Sequence, residues 1–176
     1  VYMMGAEMMG RADVSTMAHH SFHGGIALAM LVFSIREGST TFEGGRITDT
    51  RFAEEIKEIG RGDAWGCMDI TEPDAGSDVG ALRTTAWQDD AGDWFLTGEK
   101  IFVTSGHGRY HFVLARTEEA TNSAGAMDGL AGLSLFLVET YHEDEHGRRQ
   151  RLASLERVEH KLGHHASVTV SIRFQD

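Results

Sequence analysis

The sequence is poor in features that would point directly to common functions. It has one cysteine, Cys67, so no disulfide can close within the chain, which fits a reducing compartment. A lone thiol of this kind reads as a small buried apolar residue. There is one proline, Pro73, against 21 glycines. That balance predicts many tight turns and excludes a Pro-rich linker. Cations are not in excess. The formal net charge is -11, whereas a nucleic-acid partner needs clustered Lys and Arg. A phosphorylated cofactor stays admissible, because backbone N–H groups and a few local side chains hold small anions. Long apolar runs are also missing: the longest, Ile26 to Phe33, is far too short to span a bilayer. No signal peptide is visible. Neither a Gly-Lys-Ser/Thr phosphate loop nor a Gly-x-Ser-x-Gly nucleophile elbow occurs.

What is present changes character near residue 62. Before it, the pattern is helical. Asp13 or Ser15 can cap a helix running to about Ile35, with Met17, Phe22, Ile26, Met30 and Phe33 as its apolar stripe. Gly24-Gly25 within that stripe marks a kink or the close approach of a neighbour. Residues 38–45 read as a polar, Gly-rich loop. A second helix over about 50–59 puts Phe52, Ile56 and Ile59 on one face and ends at Gly60 and Gly62.

After residue 62 the period becomes that of strands. Trp65 to Ile70, Leu82 to Gln88, Trp94 to Thr97, Lys100 to Thr104, His111 to Arg116 and Leu133 to Glu139 are strand-like, with a turn expected at Gly98-Glu99. In the final run Val168, Val170, Ile172 and Phe174 alternate with Thr169, Ser171 and Arg173. Residues 121–129 and 139–151 read as exposed loops. No helical segment separates the strands. The predicted class is therefore α+β: a helical segment over 1–62, then an antiparallel β-sandwich or barrel over 63–176.

The stretch Ile70-Thr71-Glu72-Pro73-Asp74-Ala75-Gly76-Ser77-Asp78 holds the only proline, among hydroxyls and carboxylates. Such a turn can offer N–H groups and hydroxyls to a polar or anionic ligand. It can equally be an Asx-rich turn between strands. A calcium loop using Asp69, Glu72, Asp74 and Asp78 is a third reading, though the spacing is not that of an EF-hand. Ten histidines compete for attention. His19 and His23 have the i, i+4 spacing of metal ligands, but no acidic third ligand is placed beside them, and no metal is assigned. His107 and His111 flank a strand start and are expected to be exposed.

Three blocks resemble one family. Thr71-Glu72-Pro73 before Ala75-Gly76-Ser77-Asp78, then residues 98–106 (Gly-Glu-Lys-Ile-Phe-Val-Thr-Ser-Gly), then residues 161–167 (Lys-Leu-Gly-His-His-Ala-Ser) with the alternating strand, are similar to the acyl-CoA dehydrogenases over residues 65–176. Residues 1–62 resemble the late helices of that family's N-terminal domain more loosely. Two positions depart from the usual pattern: Phe102 stands where Trp is frequent, and Met68 where an aromatic or aliphatic residue is.

The resemblance implies an α–β–α enzyme with FAD held against the β-domain, working in fatty-acid β-oxidation. By position, it implies that Met68, Ile70 and Thr71 lie along the flavin and that Thr71 bonds its pyrimidine edge. Ser77 would lie near phosphate-bearing parts of cofactor or substrate. Phe102 would pack on the flavin, beside Val103, and Thr104 would point at its reactive region. Alternation would put Phe102 and Thr104 on one strand face, and Glu72 and Glu99 would support loops. The resemblance implies an acyl-CoA substrate oxidised to the trans-2-enoyl-CoA and electron-transfer flavoprotein as acceptor. It also implies a dimer or tetramer, in the cytoplasm or in the mitochondrial matrix of a eukaryote. The catalytic glutamate belongs to a C-terminal helical domain, so no catalytic residue is assigned here. Both ends of the chain are expected to be cuts within a longer protein, and the piece alone is expected to be inactive. An acyl-CoA oxidase, another flavoenzyme on this scaffold, or a non-catalytic CoA-ligand-binding homologue are the alternatives.

Overall fold

The structure is a computed structural model that describes residues 2–117 and 129–175. The loop expected over 121–129 lies outside the described residues except for Gly129. Two helices open the chain, α1 (Tyr2–Ala12) and α2 (Val14–Arg36). Asp13 caps α2 as expected: its carboxylate accepts the Thr16 N–H at 2.6 Å, satisfying one of the unpaired donors of the first turn. Gly24 marks a close approach, since a Cβ there would lie 2.5 Å from the Tyr2 hydroxyl oxygen of α1.

The buried face of α2 is Ser15, His19, Ile26, Met30 and Ser34, which differs from the predicted apolar stripe. Phe22 and Phe33 each keep 39% exposure. Polar residues take the inner face because they find partners there. Ser34 donates to the Met30 carbonyl at 2.9 Å, and His19 bonds to the sheet. By length and composition alone α2 is apolar enough to cross a membrane, but its inner positions lie against the sheet. A short exposed hairpin follows, β1 (Thr41–Glu43) and β2 (Arg46–Asp49), where the sequence predicted only a loop. Then α3 (Ala53–Arg61) ends at Gly62 with φ 82°.

Ile26, Met30, Ile59, Ala64, Tyr110 and Phe112 form a core cluster joining the helices to the sheet, with Phe52 and Ile56 against it. Each large side chain buried there contributes roughly 1.5–3 kcal/mol relative to exposure. The approach of α2 depends on Gly66: a Cβ there would lie 2.6 Å from Ile26 Cγ2. A second cluster, including Cys67, Val103, Val113, Val170, Ile172 and Phe174, lies within the sheet domain.

The remaining strands are β3 (Gly66–Asp69), β4 (Thr85–Gln88), β5 (Trp94–Thr104), β6 (Tyr110–Thr117), β7 (Leu133–Glu139), β8 (Tyr141–Glu143), β9 (Arg149–Arg151), β10 (Ser154–Val158) and β11 (Thr169–Phe174). Seven make one sheet in the order β10-β11-β5-β4-β6-β3, with β7 also paired to β6. The α+β class holds. The order is open rather than a closed barrel, and the sheet is mixed. Four pairings are antiparallel, but β3 and β4 run parallel to successive stretches of β6. Parallel neighbours need a long crossover; here β4 and β5 provide the one between β3 and β6, in place of a helix.

Two further expectations are corrected. No turn interrupts β5 at Gly98-Glu99. The strand runs through, pairing with β4 over 94–97 and with β11 from Gly98 on. The charged stretch 139–151 contains the β8–β9 hairpin. The alternation of β11 is real, yet both faces are covered. Its polar face is buried with partners, Ser171 bonding Glu159 at 2.7 Å and Thr169 bonding Lys161 at 3.0 Å.

Candidate functional site

The turn carrying the sole proline and the strand carrying Phe102 meet. The Thr71 carbonyl accepts the Ile101 N–H at 2.8 Å. Around Pro73 the chain closes on itself, with Glu72 N–H to Ala75 O at 2.9 Å and Ala75 N–H to Glu72 O at 3.1 Å. Ile70 and Thr71 leave β3 half-buried.

At this junction two large apolar side chains stay uncovered. Met68 is 42% exposed while its β3 neighbours are buried, and Phe102 is 60% exposed. The strand alternation predicted for Phe102 and Thr104 is interrupted. In the β5–β11 register Val103 faces Val170 and Lys100 faces Ile172, so β5 carries one extra residue, a bulge. Phe102 sits in it with φ 58°. A left-handed non-glycine residue is strained by roughly 1–2 kcal/mol, and such strain clusters at functional sites. The bulge turns Phe102 outward and Val103 inward. Val103 is 1% exposed and belongs to the core, so its part in the site is to anchor the strand. The Thr71 and Thr104 hydroxyls have no hydrogen-bond partner among the described residues. Ser77 is exposed and no hydrogen bond among the described residues joins it to the others. Its loop is held from below by buried Arg116, which donates to the Leu82 carbonyl at 2.9 Å and the Gly80 carbonyl at 2.5 Å.

Behind the junction lies a lock that sequence reading missed. Lys100 is fully buried. Its ammonium donates to Glu72 Oε1 at 2.8 Å, the Ile70 carbonyl at 3.1 Å and the Leu114 carbonyl at 2.7 Å, which uses all three N–H bonds. Glu72 also accepts the N–H groups of Arg83 and Thr84 at 2.6 and 3.0 Å. Burial disfavours both charges. For Glu72 the hydrogen bonds from Lys100, Thr84 and Arg83 outweigh it and hold the carboxyl below its usual range. For Lys100 burial prevails and the ammonium titrates below its usual range; its three acceptors still favour the charged form. Glu72 is thus a loop-supporting group, as expected. Glu99 pairs with Arg173 at 3.2 Å.

Beneath β3, Asp69 Oδ2 lies 2.8 Å from His111 Nδ1 and the Cys67 thiol donates to Asp69 Oδ1 at 3.4 Å. All three are fully buried, which corrects the expectation that His111 is exposed. Cys67 is buried as predicted, and burial pushes its thiol well up. Asp69 and Glu72 are committed to His111 and Lys100, which removes two ligands from the calcium-loop reading. Among the described residues, Cys67, Asp69 and His111 are the one group placed to share a metal ion, and they already bond one another.

A second polar zone lies between α2 and the sheet. Its hollow of about 470 Å³ is lined by His19, His20, His23, Trp65, His107 and Val168, among others. His19 accepts the Val168 N–H at Nε2 (3.2 Å) and pairs through Nδ1 with Ser105 Oγ (2.6 Å), so neither nitrogen is free for a metal. Both nitrogens of His23 and Nδ1 of His107 are buried without a partner among the described residues. Burial, then the neighbouring histidines, push His23 down to about 4. A smaller apolar hollow of about 290 Å³ is lined by Ser21, Phe22, Gly25, Ile26 and Met68. His164 and His165 are exposed.

The site residues fit a planar, largely apolar ligand with polar edges. Uncovered Met68 and Phe102 offer walls, and the unpaired Thr71 and Thr104 hydroxyls offer hydrogen bonds. Comparison with known proteins identifies the family. Residues 67–176 match the family described as acyl-CoA dehydrogenase, middle domain. A broad-specificity linear acyl-CoA dehydrogenase of Mycobacterium tuberculosis is 43% identical over 121 residues, 62% of this chain and 19% of that protein. The long-chain specific mitochondrial enzyme of Sus scrofa is 34% identical over 122 residues, 69% of this chain and 25% of that protein. A glutaryl-CoA dehydrogenase of Mycobacterium smegmatis, solved in complex with FADH2, superimposes with a TM-score of 0.65 at 26% identity, covering 97% of this chain and 36% of that one. The chain thus spans a fifth to a quarter of the length of these curated relatives.

Proposed function

We propose, from the premise that this chain belongs to the acyl-CoA dehydrogenase family, that it forms the flavin-facing wall of an enzyme oxidising an acyl-CoA thioester to the trans-2-enoyl-CoA. One observation carries the reading: the hydrogen bond from Ile101 N–H to Thr71 O joins the two motif blocks, each of which has an uncovered apolar side chain close by in sequence, Met68 and Phe102. FAD bound there supplies the two-electron acceptor.

In this reading Met68, Ile70 and Phe102 pack the ring system and exclude water, and the Thr71 and Thr104 hydroxyls orient it. Val103 anchors Phe102. Ser77, on its exposed turn, meets the phosphate-bearing parts of cofactor or substrate. The hollow between Phe22, Ile26 and Met68 has the apolar lining that suits an acyl chain. The base that takes the α-proton comes from outside residues 1–176. Glu72 is unsuited to the role, because its carboxylate is held charged and saturated by Lys100, Arg83 and Thr84, whereas a general base must reach its proton. Electrons pass on to electron-transfer flavoprotein. The full-length protein is expected to retain FAD through gel filtration and to reduce electron-transfer flavoprotein on addition of acyl-CoA. The isolated 176-residue chain should keep little flavin. A full-length protein without flavin overturns the proposal; peroxide release in place of electron-transfer flavoprotein reduction redirects it to an oxidase.

A further inference from the structure

We infer that His19 of α2 is a positioning residue for the slot, holding through Ser105 and Val168 the end of β5 that presents Thr104. This rests on the flavin-slot reading above. Thr104 pairs with Thr169 across β5 and β11. The residue after Thr104 is Ser105; the residue before Thr169 is Val168. Ser105 N–H donates to Val168 O at 2.7 Å, and the one imidazole of His19 bonds both residues, Ser105 through its hydroxyl and Val168 through its N–H. Because Nε2 accepts from Val168, the neutral ring carries its proton on Nδ1 and donates it to Ser105 Oγ.

The clamp has something to restrain. Ser105 is fully buried with φ 64°, and Phe102, three residues earlier, has φ 58°. Val103-Thr104 is therefore bracketed by two left-handed non-glycine residues. Such conformations persist only where the surroundings over-determine them. At Ser105 those surroundings are Val168 O, the Gly108 N–H that bonds the Ser105 carbonyl at 2.8 Å, and His19. The clamp also makes the slot depend on the helical segment, a link that β-domain motifs alone do not contain.

The clamp works with a neutral ring. A proton on Nε2 would face the Val168 N–H and remove its acceptor. Among the described residues, the groups around the ring include no anion: Lys161 and the Ala166 carbonyl from the segment before β11, His107 from the β5–β6 loop, Trp65 from before β3, and His23 on α2 itself; the carbonyl is a neutral acceptor. Burial lowers the tendency of His19 to protonate; the Ala166 carbonyl works against it and Lys161 adds to it, and the net shift is downward.

The test uses His19→Leu, His19→Asn and Ser105→Ala in the full-length protein, with and without FAD. In the apo protein, ¹⁵N spectra should find the Nδ1–H tautomer of His19. His19→Leu should speed amide exchange at Ser105 and Val168 by about tenfold or more while β6 and β7 stay protected, which separates local release from unfolding. His19→Asn, whose amide can still donate to Ser105, should recover part of the Ser105 protection, and Ser105→Ala should loosen Val168 less than His19→Leu. With FAD, wild-type affinity should weaken as pH falls through the His19 titration, and His19→Leu should lose that step. Wild-type FAD affinity with unchanged exchange and pH profile in His19→Leu overturns this inference alone; a wild type that binds no FAD overturns the slot reading as well.

Discussion

The two buried polar zones of this chain are built in opposite ways. Behind the slot, Lys100, Glu72, Asp69 and His111 spend their donors and acceptors on one another and on carbonyls. Between α2 and the sheet, His19 is satisfied but His23 and His107 hold buried nitrogens with no partner among the described residues. A satisfied network is costly to cut and insensitive to small changes in pH. An orphaned one is cheap to delete and responds to acid. The first backs the turn and strand that carry Thr71 and Phe102; the second lies between α2 and the sheet.

The largest effect is expected from cutting the satisfied network. Lys100→Met leaves Glu72 buried and unpaired and should cost about 3–5 kcal/mol, the range for breaking one partner of a buried pair, read from urea unfolding. Lys100→Met combined with Glu72→Gln should recover part of that loss. The depressed Glu72 contributes above its ordinary value of 4.5 and loses its contribution as pH falls through its lower folded value, so the difference between wild type and Lys100→Met should shrink below that point.

A middling effect belongs to Phe102, and it should fall on ligand rather than fold. Because the ring is 60% exposed, Phe102→Ala should change stability little while weakening FAD binding by about 0.5–1.5 kcal/mol, the worth of an aromatic contact, in a fluorescence titration. Phe102→Gly, which accepts φ 58° without strain, should bind as weakly yet unfold about 1 kcal/mol later.

The smallest effect at neutral pH should come from His23→Leu. Native His23 takes a proton only near pH 4, against 6.5 ordinarily. Between those values the unfolded state binds more protons, so stability falls as pH drops from 6.5 towards 4. His23→Leu should flatten that slope and raise stability by about 1 kcal/mol through deletion of unsatisfied buried groups, measured by urea unfolding at pH 5 and pH 7.5.

Much of this organisation was legible in the sequence. The Asp13 cap, the apolar face of α3, the Gly62 stop and most strand positions follow from side-chain period and turn chemistry. The meeting of the Pro73 turn with the Phe102 strand came only through family resemblance, since nothing local to either segment encodes their contact. Other features failed for identifiable physical reasons. Lys100 in a strand reads as a solvent-facing residue until its three acceptors, two from the turn after β3 and one from β6, are seen. His111 reads as exposed until Asp69 is placed beside it by the parallel β3–β6 register. The bulge at Phe102 replaces simple alternation through a register shift against β11, almost seventy positions away. His19 reads as half of a metal motif because its partners, Ser105 and Val168, are distant in the chain.

The central claim is that Met68 and Phe102 flank one ligand. Methyl spectra of the full-length protein labelled at methionine test it most directly, because α1 carries exposed Met3, Met4 and Met8 as internal controls. On addition of FAD the Met68 methyl should move under the flavin ring current, those three should stay in place, and Phe102→Ala should weaken the response. A Met68 signal that does not move at saturating FAD would contradict the account.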